Sequence, residues 1–147
     1  MISVLLVDDH ASVRKALRYL LEATDDINVV ATASSGAEAI SQVSFYCPDV
    51  AIIDISMPQM DGIETTRQIH QNCQSTRVMM LSIYDNPEYV QRALQVGAVG
   101  FVLKDTISED LLAAVRALYK GGRYFSHKVA EIAQRYIDQK WDDSWAA

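Results

Sequence analysis

Short runs of β-branched and aliphatic residues alternate with longer stretches of helical period along most of this 147-residue chain, and that alternation limits the fold more than any other feature. The first pair is Ile2 to Val7 followed by His10 to Ala23, where Val13, Leu17, Leu20 and Leu21 fall on one helical face. The pattern repeats as Ile27 to Ala33 with Ser35 to Phe45, and Asp49 to Ile53 with Asp61 to Gln71. It continues as Arg77 to Leu81 with Pro87 to Val96, and Val99 to Leu103 with Ser108 to Tyr119. Continuously apolar strands joined by helices need cover on both faces. The pattern therefore predicts a doubly wound α/β fold, a five-stranded parallel sheet with five helices and right-handed crossovers. Ligands of such sheets lie at the strand C-termini.

Local punctuation agrees with these divisions. Asp61 can cap the third helix, Asn86-Pro87 places proline near the start of the fourth, and Gly97 follows its end. Gly121-Gly122 ends the fifth. Beyond it, Ser126 can cap a tail helix in which Val129, Ile132, Ala133, Tyr136 and Ile137 recur at helical spacing, with Glu131 and Arg135 as an i,i+4 pair. The closing Trp141-Asp-Asp-Ser-Trp-Ala-Ala has no period and is expected to be irregular, with its tryptophans available to dock on a partner or on the domain. No internal repeat or low-complexity linker divides the chain.

Composition narrows the class. Half of the chain is hydrophobic, ample for one buried core. A net charge of −6 argues against a phosphate-backbone grip, which rests on Lys and Arg. Cys47 and Cys73 form no CxxC pair or zinc pattern and read as reduced thiols that fill structure. The start of the chain has no basic n-region, and no apolar run reaches membrane-spanning length, so a soluble, cytoplasmic protein with no membrane association is expected.

Polar residues end four of the five strands. Asp8 and Asp9 close Val4 to Val7, Asp54 closes Val50 to Ile53, Ser82 follows Leu81, and Lys104 follows Leu103. Singly, each is an ordinary cap, turn residue or solvated charge. At matched strand ends they converge on one rim. Carboxylates grouped there without a counter-ion would repel and hold protons, whereas a hard divalent cation lets them stay ionised.

These residues resemble the CheY-like receiver domain of two-component response regulators over positions 1 to about 125. The motifs that carry the resemblance are Asp8-Asp9, Asp54 within Asp-Ile-Ser-Met-Pro-Gln-Met-Asp-Gly-Ile-Glu, Ser82, and Gly-Ala-Val-Gly-Phe-Val-Leu-Lys ending at Lys104. Leu-Ser-Ile-Tyr-Asp-Asn-Pro-Glu-Tyr-Val and Gly-Gly-Arg-Tyr-Phe-Ser look most like the NarL/FixJ (LuxR-type) branch. The resemblance implies the flavodoxin-like strand order 2-1-3-4-5, a receiver over 1–125, and a linker or tail helix over 126–147. Only 21 residues follow Ser126, too few for a helix-turn-helix, so no DNA-binding domain and no direct nucleic-acid binding by this chain are expected. The chain is then either a receiver segment of a longer transcription regulator or a stand-alone receiver.

The resemblance also assigns roles. Asp54 would accept a phosphoryl group from a sensor histidine kinase. Asp8, Asp9, Asp54 and the backbone carbonyl of Ser56 would hold Mg²⁺. Lys104 would pair with a phosphoryl oxygen, the Ser82 hydroxyl would bond another, and Phe101 would rotate as Ser82 is drawn inward. Pro58 and Gly62 would shape the loop after Asp54. The chain would not be an enzyme beyond its own phosphorylation and dephosphorylation, and its altered surface would favour a homodimer or an output partner. Two departures from the family bear on kinetics: Ile83 stands where a smaller residue is common, and Asp105 replaces a proline after Lys104, so a cis peptide there is not assumed.

Three other readings compete. A haloacid-dehalogenase-like phosphatase shares the aspartate, Mg²⁺ and lysine but carries an acid two residues after its nucleophile, where this chain has Ser56. A flavodoxin-like carrier would need a phosphate-cradling loop in place of Asp-Asp-His-Ala-Ser. A degenerate receiver that binds partners without phosphorylation would have no use for the complete set of five site residues.

Overall fold

The apolar runs form the middle of one sheet because each has both faces covered. A computed structural model describes the backbone of residues 1–146 and the side chains of residues 1–139. Its elements are β1 (Ile2–Val7), α1 (Ala11–Glu22), β2 (Ile27–Ala33), α2 (Gly36–Tyr46), β3 (Val50–Asp54) and α3 (Gly62–Asn72). There follow β4 (Arg77–Ser82), α4 (Pro87–Gln95), β5 (Gly100–Leu103), α5 (Ile107–Tyr119), β6 (Tyr124–Phe125) and α6 (His127–Ala146). The strands pair in parallel in the order β2-β1-β3-β4-β5-β6.

Residue alternation along the strands splits the interior into two layers. Leu5, Val7, Ala51, Ile53, Val78, Met80, Phe101 and Leu103 share one apolar cluster with residues of α2, α3, α4 and α6. Val4, Leu6, Val50, Ile52, Met79, Leu81 and Val102 share the other with α1 and α5. The expected doubly wound sheet is present, with one addition. Tyr124–Phe125 forms a sixth strand beside β5, held by Tyr124 N–H to Val99 O at 3.1 Å and Ser126 N–H to Phe101 O at 3.0 Å. Two residues are too few to display a period, so only the neighbouring edge reveals this strand.

Helix boundaries follow their caps. Ser35 Oγ accepts from Glu38 N and Asp61 Oδ1 from Glu64 N, and Pro87 opens α4. The tail helix forms as its spacing predicts, with Val129 and Ala133 fully buried beside Val90 and Ala93 of α4, and Arg135 paired with Glu131 at 2.6 Å.

Three expectations are corrected. Ser126 does not use its hydroxyl as a helix cap: Oγ accepts from Leu103 N at 2.9 Å and donates to Asp110 Oδ2 at 2.8 Å, because a partly buried carboxylate and a strand amide left without a backbone partner are the stronger claimants. The helix also continues to Ala146 instead of becoming irregular at Trp141, since extension from an anchored nucleus fixes one residue per hydrogen bond. The docking of Trp141 and Trp145 lies outside the described side chains. Finally, Cys47 and Cys73 are joined as a disulfide, with Cα atoms 6.0 Å apart. They terminate α2 and α3, two helices packed side by side, and a separation of 26 residues gives no sign of that.

Candidate functional site

Strand ends and the loops that follow them build the site. Asp54 is the last residue of β3, and Asp8 follows β1; parallel pairing of these strands sets Val7 opposite Ile53 and brings the two carboxylates to the same edge. Both residues are 1% exposed. Lys104 follows β5 and reaches back across β4, placing Nζ 3.3 Å from Asp54 Oδ2 and 3.5 Å from Asp8 Oδ2. Asp9 is partly exposed at the rim.

The loop after β3 is shaped by contact with Asp54. Ser56 N–H donates to Asp54 Oδ1 at 3.1 Å, and Gly62 N–H donates to Ile55 O at 3.1 Å. A Cβ on Gly62 would stand 2.4 Å from Asp54 O and 2.8 Å from Ile55 Cα, so only glycine lets α3 start this close to the strand end. All peptide bonds of the described residues are trans, including Lys104–Asp105, where the chain makes a 3₁₀ turn over Lys104–Thr106.

Burial raises the Asp54 carboxyl above its ordinary pKa. The Ser56 amide lowers it, Asp8 raises it further, and Lys104 offsets part of the rise. Asp8 Oδ2, Asp9 Oδ1 and Asp54 Oδ2 are buried without a hydrogen-bond partner, with Lys104 at ion-pair distance from Asp8 and Asp54 and His10 at ion-pair distance from Asp9. Orphaned carboxylate oxygens are costly in a protein interior. One ligand atom each from Asp8, Asp9, His10 and Asp54 lies within 4.8 Å of all the others. The three carboxylates of this group fit a hard dication such as Mg²⁺, which takes oxygen ligands.

Of the residues singled out in the sequence, Asp8, Asp9, Asp54 and Lys104 come together. Ser56 stands beside Asp54 through its amide. Ser82 ends β4 on the same rim, but its hydroxyl donates to Tyr84 O at 3.0 Å and accepts from Tyr84 N at 2.8 Å. Phe101 is 1% exposed in the core cluster that includes Val90, Val129 and Ala133, so its ring is already inside. Ile83 is 66% exposed at the rim. One residue was missed. His10 Nδ1 lies 3.1 Å from Asp8 Oδ1 and 3.2 Å from Asp9 Oδ1; the available signal was a histidine directly after the acidic pair and just before a helix.

Among the described residues, no helix is long and apolar enough to cross a membrane. Residues 4–116 match the response regulator receiver domain. The chain is 37% identical over 142 residues to the oxygen regulatory protein NreC of Staphylococcus haemolyticus (strain JCSC1435), an alignment covering 95% of this chain and 65% of that protein. It thus spans just under two thirds of that relative's length. A LuxR-family two-component response regulator from Aurantimonas sp. SI85-9A1 superposes with a TM-score of 0.87 at 30% identity, covering 92% of this chain and 96% of that one. The isolated REC domain of RcsB from Salmonella enterica serovar Typhimurium, solved with the phosphomimetic BeF₃⁻, gives a TM-score of 0.81 at 29% identity, with coverage of 89% and 97%. The sheet order, the strand-end acids and these likenesses agree, and the chain belongs to the response regulator receiver domain family.

Proposed function

We propose that residues 1–125 are a phosphoacceptor module in which Asp54 takes a phosphoryl group from a phosphohistidine of a sensor kinase. The observation that carries this reading is the Lys104 ammonium within 3.3 Å of Asp54 and 3.5 Å of Asp8, beside three carboxylate oxygens that lack hydrogen bonds. In the transfer, an Asp54 oxygen forms a bond to phosphorus as the phosphorus–nitrogen bond breaks, and the departing imidazole keeps the electron pair. Such a loose transition state requires alignment and charge neutralisation more than a strong nucleophile. Asp8, Asp9, Asp54 and the Ser56 carbonyl would hold Mg²⁺, which when bound neutralises charge on the phosphoryl oxygens. Lys104 supplies a second positive charge as a point donor. Ser82 would leave Tyr84 to bond a phosphoryl oxygen, and that exchange would bias a pre-existing two-state equilibrium.

The output is a changed surface, acting in the cytoplasm, within a longer transcription regulator or through protein contacts. A homodimer formed through α1 and α5 is favoured over one through α4. Val129 and Ala133 of α6 already pack with α4, whereas Val13, Ala16, Leu17, Leu20 and Ile107 line an open apolar groove of about 300 Å³ between α1 and α5. Residues 126–147 serve as a linker or tail helix.

Addition of a small phosphodonor or beryllofluoride with Mg²⁺ tests the reading, with Asp54→Asn as control. With the phosphodonor the wild type gains one phosphoryl group by mass, with either reagent it shifts toward dimer in sedimentation, and Asp54→Asn does neither. An unresponsive wild type refutes phosphorylation and leaves a constitutive interaction module. Lys104→Ala is expected to melt normally yet lose the response; loss of folding would contradict a switch role for Lys104.

A further inference from the structure

His10 occupies the position just before α1, where Ser35 and Asp61 cap α2 and α3 with side-chain oxygens, yet its ring makes no cap hydrogen bond. Instead, Nδ1 lies 3.1 Å from Asp8 Oδ1 and 3.2 Å from Asp9 Oδ1. We infer that His10 is a nitrogen ligand of the cation held by Asp8, Asp9 and Asp54, so that the site selects a first-row transition dication such as Mn²⁺ over Mg²⁺; this rests on the cation reading above.

The spacing is the first argument. Adjacent ligands of an octahedral ion at about 2.1 Å are separated by √2 times that distance, about 3.0 Å. The two nitrogen–oxygen separations, 3.1 and 3.2 Å, match that edge. The orphaned oxygens are the second. Asp8 and Asp54 are each 1% exposed, and Asp8 Oδ2 and Asp54 Oδ2 have no hydrogen bond, so the carboxylates beside the ring retain unused coordinating capacity. The third is restraint of the backbone. His10 N–H donates to Asp8 Oδ1 at 2.9 Å, and Arg14 Nη1–H donates to Asp8 O at 2.6 Å, so the ring springs from a chain segment already tied to the site.

Coordination through Nδ1 requires that nitrogen bare and a ring proton on Nε2, which solvent can serve because the side chain is 62% exposed. Imidazole suits the transition dications, whereas Mg²⁺ is satisfied by oxygen donors alone. A nitrogen in the ligand set therefore separates the two classes of ion.

The full chain is titrated with MnCl₂ and, separately, MgCl₂ by calorimetry, and the Mn²⁺-loaded protein is examined by electron spin echo envelope modulation for directly bound ¹⁴N. The wild type is expected to give the ¹⁴N signal. His10→Ala and His10→Gln lose it, with Mn²⁺ binding weakened tenfold or more and Mg²⁺ binding changed less than threefold. Thermal melts show which variants are folded, and His10→Gln keeps a polar side chain of similar reach should His10→Ala fail. Binding of both ions with no ¹⁴N signal, or equal losses for both in the variants, overturns the assignment while leaving the cation reading intact. If the wild type binds neither ion, both fall together.

Discussion

The Ser82 hydroxyl is closed onto the backbone of Tyr84, donating to its carbonyl at 3.0 Å and accepting from its amide at 2.8 Å. A hydroxyl so engaged reaches a phosphoryl group on Asp54 only by releasing both contacts, which couples the site to the loop leading into α4. Each bond is worth about 1 kcal/mol, or roughly a fivefold change in local opening. In the wild type, beryllofluoride with Mg²⁺ should therefore speed amide exchange at Tyr84. In Ser82→Ala that exchange should be faster from the start and should not respond. Hydrogen exchange resolved to the β4–α4 loop makes the measurement.

Asp54 is buried at a cost in stability near neutral pH. Burial raises its pKa above that of the unfolded chain, so the folded protein holds this proton more tightly. The associated stability is fully present below the unfolded pKa and is lost as pH rises through the folded value, leaving a cost at neutral pH. Metal-free Asp54→Asn should be more stable than wild type at pH 7 by on the order of 1 kcal/mol, with the difference shrinking toward pH 4. Mg²⁺ at ten times its dissociation constant should stabilise the wild type by about 1.4 kcal/mol and the variant by less. Melts in chelator and in Mg²⁺ compare them.

Asp110 anchors the base of α6. Burial raises its pKa, but hydrogen bonds from Thr106 at 2.7 Å, Tyr124 at 2.8 Å and Ser126 at 2.8 Å outweigh this and leave it below the ordinary carboxylate range. A depressed pKa contributes stability above the unfolded value, near 3.9, that is lost as pH falls through the folded one. Asp110→Asn should cost about 1 kcal/mol at pH 7, at the low end of the hydrogen-bond range because solvent screens the group, and the gap should narrow toward pH 3. Exchange at Val129 and Ala130, whose amides bond Ser126 O, should rise with it.

The Cys47–Cys73 bond closes a loop across α2, β3 and α3, with a sequence separation of 26. In the chain-entropy account, a loop of that size is worth about 3–4 kcal/mol. Dithiothreitol should lower the melting temperature of the wild type. Cys47→Ser should melt near the reduced wild type and be insensitive to the reductant.

Gly62→Ala puts a methyl group against Asp54 O, part of a backbone that cannot yield without moving Asp54. Overpacking of this kind costs about 1–3 kcal/mol. The variant should lose that much stability by urea unfolding, and phosphodonor labelling of Asp54 should slow.

How much was legible in advance follows the range of each interaction. Asp61 caps α3 through an amide three residues away and was readable; Ser126 has the same local preference but is claimed by Asp110, a partner 16 residues distant. Lys104 was placed at the rim by its strand-end position, because parallel register carries every strand end to one edge. His10 was overlooked because its companions, Asp8 and Asp9, looked complete without it.

The sequence by itself determined the doubly wound sheet, its helices and the convergence of Asp8, Asp9, Asp54, Ser82 and Lys104 on one edge, since hydrophobic period and strand-end position are local properties. Only the tertiary structure decided that Tyr124–Phe125 pairs with β5, that α6 seals against α4 with Val129 and Ala133, that Cys47 meets Cys73, and that His10 faces the acids. Each of these depends on which distant groups packing brings within a few ångströms, and no period along the chain encodes that distance.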